Sequence, residues 1–193
     1  MARALARAFR APLVTSTISR LVIDLNRSIG HPQLFSAETR VVPAAERERI
    51  LARYYRPYRA QVERLVRQSV SRGRRVIHVS SHSFTPRLDG KVRRADVGLL
   101  YHPGRPGEAD LSARWKAALA GIAPELRVRR NYPYSGRADG LTSYLRLRFP
   151  HGAYVGIELE VNQSIVFGAC RPWAALRGRL TDSLRTACAS GDP

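Results

Sequence analysis

Cysteine, lysine and paired metal-ligand motifs are all scarce in this chain of 193 residues. Cys170 and Cys188 stand alone with no C-x-x-C spacing. That excludes a thiolate zinc or dithiol redox motif, and no secretory context supports a disulfide, so a reducing cytoplasm fits best. Lysine is confined to Lys91 and Lys116, and the formal net charge of +18 is therefore almost all arginine, spread over the whole length. No aromatics interleave with those arginines as a base-stacking platform requires, so a nucleic-acid partner is not expected. Arginine and alanine richness reads instead as the compositional drift of a GC-rich genome. No apolar run approaches the length of a membrane span. The opening segment Met1 to Pro12 carries Arg3, Arg7 and Arg10 among alanines, and its apolar part is too short for a secretory h-region. It reads as a surface helix leading into a strand, and no membrane partner is expected. No histidine is followed three residues later by Glu or Asp, so a His-x-x-Glu zinc pair is not visible.

What is present suits one ordinary globular domain, because 44% hydrophobic content over this length supplies a real core. Thr15 to Leu25 reads as a strand, and Ser28 to Pro43, with Gly30 and Pro32, as a loop. Ala44 to Arg72 has helical spacing through Ile50, Leu51, Tyr54, Tyr58, Val62, Leu65 and Val66. Pro57 should kink or break it and Gly73 should end it. Arg75 to Ser80 is a strand, Asp110 to Gly121 a helix around Trp115, and Leu126 to Arg130 a strand. Leu141 to Phe149 is a helix, Tyr154 to Val161 a strand, and Trp173 to Ala189 a closing helix. This order predicts an α/β fold with a mostly parallel or mixed central sheet flanked by helices, and a site at the strand C-termini.

Three segments at the polar ends of apolar runs carry the chemistry. His78 and His82 would meet on a helix, but in a strand they lie about 13 Å apart if fully extended, so they cannot both ligate one metal. His82 reads as lying just past its strand. By itself it fits either a satisfied structural histidine or a ligand oriented by Ser81, Ser83 and Thr85. Glu158 and Glu160 point to one face of an otherwise apolar run, beside Asn162 and Gln163. The pair fits either a polar cleft holding a cation and a general base, or a solvated face paired with arginines. Asn26-Arg27 closes an apolar run with a guanidinium fork and an amide donor suited to a carboxylate, with Asp24 placed to orient Arg27 or Arg20. A surface loop arginine fits the same residues.

Taken together, these segments resemble a known family. Ser19-Arg20-Leu21-Val22-Ile23-Asp24-Leu25-Asn26-Arg27-Ser28, His82-Ser83-Phe84-Thr85-Pro86, Ala95-Asp96-Val97-Gly98-Leu99-Leu100-Tyr101, Asn131-Tyr132-Pro133-Tyr134-Ser135-Gly136 and Gly156-Ile157-Glu158-Leu159-Glu160-Val161-Asn162-Gln163 are similar, in order, to the N-formylglutamate amidohydrolase family. The resemblance implies a three-layer α/β fold like that of the zinc carboxypeptidases and aspartoacylase, and hydrolysis of the amide bond of an N-acyl amino acid. It implies zinc, with His82 as the later ligand and Glu160 as the base, Glu158 being the substitute. Arg20 would polarise the scissile carbonyl, and Asn26 and Arg27 would hold the substrate carboxylate.

Two departures from the family pattern set further expectations. Related sequences begin with a strand and a His-bearing loop that supplies the first zinc ligands, and this chain starts after it. A first βα unit is therefore expected to be missing, with zinc binding weak and the chain inactive as it stands. The alternative is a metal-free binding module for an anionic carboxylate ligand. His102 stands where the family usually has Asp in Leu-Tyr-Asp-Pro, and its sequence context assigns it no role.

Overall fold

The computed structural model describes residues 1–167 and 170–190. The side chain of Cys170 lies outside the described residues, while Cys188 is a half-buried free thiol. The fold is α/β, with a mixed central sheet flanked by helices. The chain packs as two compact units: Met1–Ala11, Ile77–Ala138 and the described residues from Val155 onward form the first, and Pro12–Val76 with Asp139–Tyr154 the second.

The first unit is built on a four-stranded sheet in the order β1-β6-β4-β5, where β1 is Val76–Phe84, β4 Val97–Leu100, β5 Val128–Arg130 and β6 Tyr154–Asn162. β4 runs parallel to β5 and antiparallel to β6. All nine residues of β6 are buried, as a central strand requires. Val155, Ile157, Leu159 and Val161 of β6 join Val97 and Leu99 of β4 in one apolar core. Against it pack Leu5 of α1 (Ala2–Phe9), Leu111, Trp115 and Leu119 of α5 (Pro106–Ile122), and Leu176, Leu180 and Leu184 of α8 (Cys170–Ala189). The opening helix predicted from sequence is thus real, and it is a core element through Leu5. A two-stranded hairpin, β2 (Arg87–Leu88) with β3 (Lys91–Val92), turns at Asp89-Gly90, both at positive φ as a type I′ turn demands.

The second unit has two apolar clusters. One joins Val62 and Val66 of α4 (Arg56–Val70) to Leu141 and Leu145 of α6 (Leu141–Arg146), with Phe149 and Tyr154. The other joins Leu51 and Tyr55 to Ile23 and Leu34. The long predicted helix is present with one irregularity. α3 (Ala44–Ile50) passes through a π-helical turn at Leu51–Tyr55 into α4, just ahead of Pro57, whose ring and missing N–H a regular helix cannot accommodate. Gly73, at φ 71°, follows the last turn as predicted. A short helix, α2 (Ala37–Arg40), lies inside the predicted loop, started by a Ser36–Thr39 capping box.

Thr15 to Leu25 is not a strand. Its β-branched residues Ile18, Val22 and Ile23 pack into the second apolar cluster, but the backbone closes on itself in turns, Val22 N–H donating to Ser19 and Asp24 N–H to Leu34. β propensity describes a side chain that fits a half-buried surface, and here that surface is helical.

Trp115 gives a direct test of the first core. Its Nε1–H donates to Ser183 Oγ at 3.0 Å, with both residues fully buried. Ser183→Ala would leave that indole donor without an acceptor and should cost about 1–3 kcal/mol in urea unfolding. A change within measurement error would show that the indole finds another acceptor.

Candidate active site

The alternation of β6 sorts its residues between two environments. The odd-numbered residues face the apolar core, so Gly156, Glu158, Glu160 and Asn162 lie on the opposite face. Glu158 is 8% exposed and Glu160 5%, which makes this a buried acidic pair rather than a solvated face. β1 obeys the same rule. Val79 packs on the apolar core, so His78, Ser80, His82 and Phe84 share the face of the two glutamates, and β1 neighbours β6. His82 is therefore within its strand, not beyond it. The polar stretch Ser80 to Ser83 continues the pairing as far as Phe84, which is 1% exposed, and Ser80 Oγ lies 2.9 Å from His82 Nε2 in a hydrogen bond.

The same face is roofed by a loop. Gly98 of β4 stands opposite Glu160 and Leu100 opposite Glu158. A Cβ at Gly98 would sit 1.9 Å from the Tyr132 carbonyl oxygen and 3.3 Å from Glu160 Cβ, so the loop carrying Tyr132 crosses β4 where only glycine admits it. Asn131 shapes that loop. It adopts φ 49°, and its Oδ1 accepts from Tyr101 N–H at 3.0 Å and Gly136 N–H at 3.1 Å. A Cβ at Gly136 would meet the Tyr101 backbone at 2.3 Å. Phe84 meets Tyr132 edge to face at 6.5 Å between ring centroids. The two motifs Val97-Gly98-Leu99-Leu100-Tyr101 and Asn131 to Gly136 are thus one construction.

Asn162 and Gln163 have local duties. Asn162 Oδ1 caps α7 (Gln163–Val166) by accepting from Ser164 N–H, and its Nδ2 donates to the Arg93 and Ala95 carbonyls. His102 also acquires a role. Its Nδ1 accepts from Gly104 N–H, and its backbone N–H donates to Glu108 Oε2 at 2.8 Å. Glu108, fully buried, takes Gly156 N–H on its other oxygen and pairs with Arg105.

The carboxylate-anchor residues lie in the second unit, in the loop Asp24 to Ser28. Asp24, 6% exposed, accepts Asn26 N–H on Oδ1 and the highly exposed Arg20 guanidinium on Oδ2 at 2.6 Å. Arg27 Nη1 donates to the Asp139 carbonyl at 2.8 Å, and Ser28 N–H and Oγ–H donate one to each Asp139 carboxylate oxygen. Asn26 Oδ1 accepts from Leu141 N–H at 2.8 Å and so caps α6. Two residues that sequence reasoning missed hold the loop from below. Tyr55 O–H donates to the Arg27 carbonyl, while Arg59, 4% exposed, aims Nη1 at the carbonyls of Leu25, Asn26 and Arg27. Arg59 also lies 4.3 Å above the Tyr144 ring and 5.2 Å above that of Tyr55. Burial lowers its pKa, opposed by Tyr55, Tyr144 and Asp139. The available signal was an arginine on the buried stripe of a helix, four residues after Tyr55 and three before Val62.

The predicted site residues therefore fall into two groups. His82 and Glu160 share a sheet face of the first unit, and Arg20, Asn26 and Arg27 share a loop of the second. Among the described residues no group of three or more His, Cys, Asp or Glu side chains is placed to hold a metal ion. A catalytic zinc takes three protein ligands, and the described residues alone do not supply such a set. No described helix is long and apolar enough to cross a membrane.

The N-formylglutamate amidohydrolase family model matches residues 1–167, a span that takes in both groups. The chain belongs to that family. Membership assigns it a hydrolase role. The fold is similar to that of a gene product of Agrobacterium tumefaciens at 29% identity and a TM-score of 0.82, over 98% of this chain and 75% of that one. It is also similar to an N-formylglutamate amidohydrolase of Ralstonia eutropha at 22% identity and a TM-score of 0.67, over 97% of this chain and 81% of that one. No curated protein matches the chain.

Two measurements check this geometry. Gly98→Ala forces a methyl against a backbone carbonyl and should cost at least about 1–3 kcal/mol in chemical denaturation. Wild-type stability would show that the loop yields freely. Burial opposes ionisation of Asp139, but the Ser28 hydroxyl and N–H, His31 and Arg27 outweigh it and hold its pKa below the ordinary carboxylate value. Its contribution to stability is thus present above about pH 4 and lost as pH falls through the depressed value. Asp139→Asn should be less stable than wild type at pH 7, with the gap narrowing below about pH 4; a gap independent of pH would remove the linkage.

Proposed function

We propose that this chain is a zinc-dependent hydrolase of the amide bond of N-formylglutamate or a related N-acyl amino acid, inactive as it stands because the described residues supply too few zinc ligands. The observation that carries the reading is Glu160, a buried carboxylate that the fold seats on a polar sheet face shared with His82, opposite a glycine that admits the Tyr132 loop. Desolvation of this kind equips a carboxylate to take a proton from water and return it to the leaving amine. Glu160 is the base in this reading, and Glu158 the control on the same face. Arg27 and Asn26 hold the substrate carboxylate, and Arg20, braced by Asp24, polarises the scissile carbonyl. His82 is the residue to which the family resemblance gives a zinc-ligand role.

A second reading is supported by the anchor loop. The described hydrogen bonds that organise Asp24 to Ser28 come from residues of its own unit, so the loop suits a metal-free module that binds an anionic carboxylate ligand without turnover. The cytoplasm is the compartment this reading assumes.

Turnover separates the two. In a version of the chain extended to supply the first zinc ligands, Glu160→Gln preserves volume and a hydrogen-bonding oxygen while removing the proton acceptor, and should lower kcat by about a hundredfold or more. A greater loss in Glu158→Gln, with Glu160→Gln near normal, would reassign the base. Amide hydrolysis undetectable in that extended version, with N-formylglutamate still bound, would favour the binding module. Purified protein dialysed against metal-free buffer should hold zinc well below one equivalent, because His82 and the carboxylates of β6 supply too few ligands. Stoichiometric zinc by elemental analysis would overturn that expectation and show a further ligand set.

A further inference from the structure

We propose that Asp139 is a positioning residue for the carboxylate anchor, fixing the direction in which Arg27 and Asn26 present their donors to a ligand carboxylate. This rests on the reading of Arg27 and Asn26 as the anchor. Segments 26–28 and 139–141 are 111 positions apart along the chain at Ser28 and Asp139, yet they clasp each other through four hydrogen bonds. Ser28 gives its N–H and its Oγ–H to the two oxygens of the Asp139 carboxylate. Arg27 Nη1 donates to the Asp139 carbonyl, and Leu141 N–H donates to Asn26 Oδ1. Each segment contributes backbone and side chain to the other, so none of these residues can turn independently.

The chemistry of the anchor needs this restraint. A guanidinium grips a carboxylate with two parallel bonds only when its plane is already set. The Arg27 plane is held by its Nη1 hydrogen bond to the Asp139 carbonyl, while its Nε, 3.9 Å from Asp24 Oδ2, is near that carboxylate without a hydrogen bond to it. Nη2 takes part in neither contact, and the side chain keeps 25% exposure. Asn26 is oriented by the same clasp. Because its Oδ1 is committed to Leu141, its donor end, the one a carboxylate requires, is directed elsewhere. A carboxylate at 139 is the side chain that can accept both Ser28 donors at once while balancing the Arg27 charge before a ligand arrives. With the loop fixed in advance, its ordering is no longer subtracted from the binding free energy.

The test is calorimetric binding of N-formylglutamate and of its dimethyl ester to the intact chain. Asp139→Ala should weaken acid binding about tenfold, the scale of one charge-assisted hydrogen bond, and leave the weaker ester binding unchanged. In an Arg27→Ala background the same change should cost little more, because Asp139 acts through Arg27. Circular dichroism melting verifies folding. If Asp139→Ala does not fold, Asp139→Asn keeps the volume and one acceptor and should show a smaller loss of the same selectivity. Unchanged acid affinity, equal losses for acid and ester, or full additivity with Arg27→Ala would each overturn the proposal while the anchor reading stands. No binding by the unaltered chain, or none lost in Arg27→Ala, would overturn the anchor reading and this proposal with it.

Discussion

The period-two alternation of β6 is the constraint on which the first unit depends. Every residue of this strand is buried, so its two faces must differ in what they bury. One takes Val155, Ile157, Leu159 and Val161 into a dry core, and the other takes two carboxylates and an amide. A one-residue slip in pairing would put the glutamates among leucines and the valines on the polar face. The penalty for a carboxylate among alkyl groups is severe enough to fix the register of β6 against β4. The positions of Gly98, the Tyr132 loop and the histidine-bearing strand all follow from that register.

The second unit rests on a different device, a buried guanidinium. Arg59 replaces what would ordinarily be an apolar residue on the inner stripe of a helix, and it serves three consecutive carbonyls of a loop that has no strand partner. Backbone carbonyls turned inward must find donors, and Thr15 to Leu25, with no sheet edge beside it, cannot find them in a ladder. A cation on α4 satisfies them instead, and the loop acquires a fixed shape without regular secondary structure. Asp139 then completes its outer side.

Much of this was legible in the sequence, for physical reasons that differ by segment. Helix α4 declared itself through 3.6-residue spacing, α5 around Trp115 and α8 at the close of the chain were placed as well, and the shared face of Glu158 and Glu160 showed through strict alternation. Thr15 to Leu25 misled because β-branched residues report a surface to pack on, not the hydrogen-bonding partner that makes a strand. β4 is only four residues long, and all four are buried, so it has no alternation to read. His82 was placed too late because a serine-rich stretch looks like a loop until its neighbour across the sheet is known. Asp139 and the Tyr132 carbonyl were invisible, since their meaning lies in contacts with Ser28 and Gly98 far away in the chain. The family motifs carried that long-range information without explaining it.

The arginine excess takes on a different meaning once Arg59 is seen in place. Other arginines also lie over rings: Arg148 on Tyr144, Arg130 on Tyr101, Arg129 on Tyr132 and Arg93 on Tyr134. Flat, weakly hydrated and rich in donors, the group serves here as both aromatic filler and carbonyl cap. Exchanging Arg59 for lysine would leave the formal net charge at +18 at pH 7. It would also replace a plane that covers two rings and serves three carbonyls with a compact, strongly hydrated ammonium. Two chains indistinguishable by charge would then differ in whether the loop at residues 25–27 holds its shape.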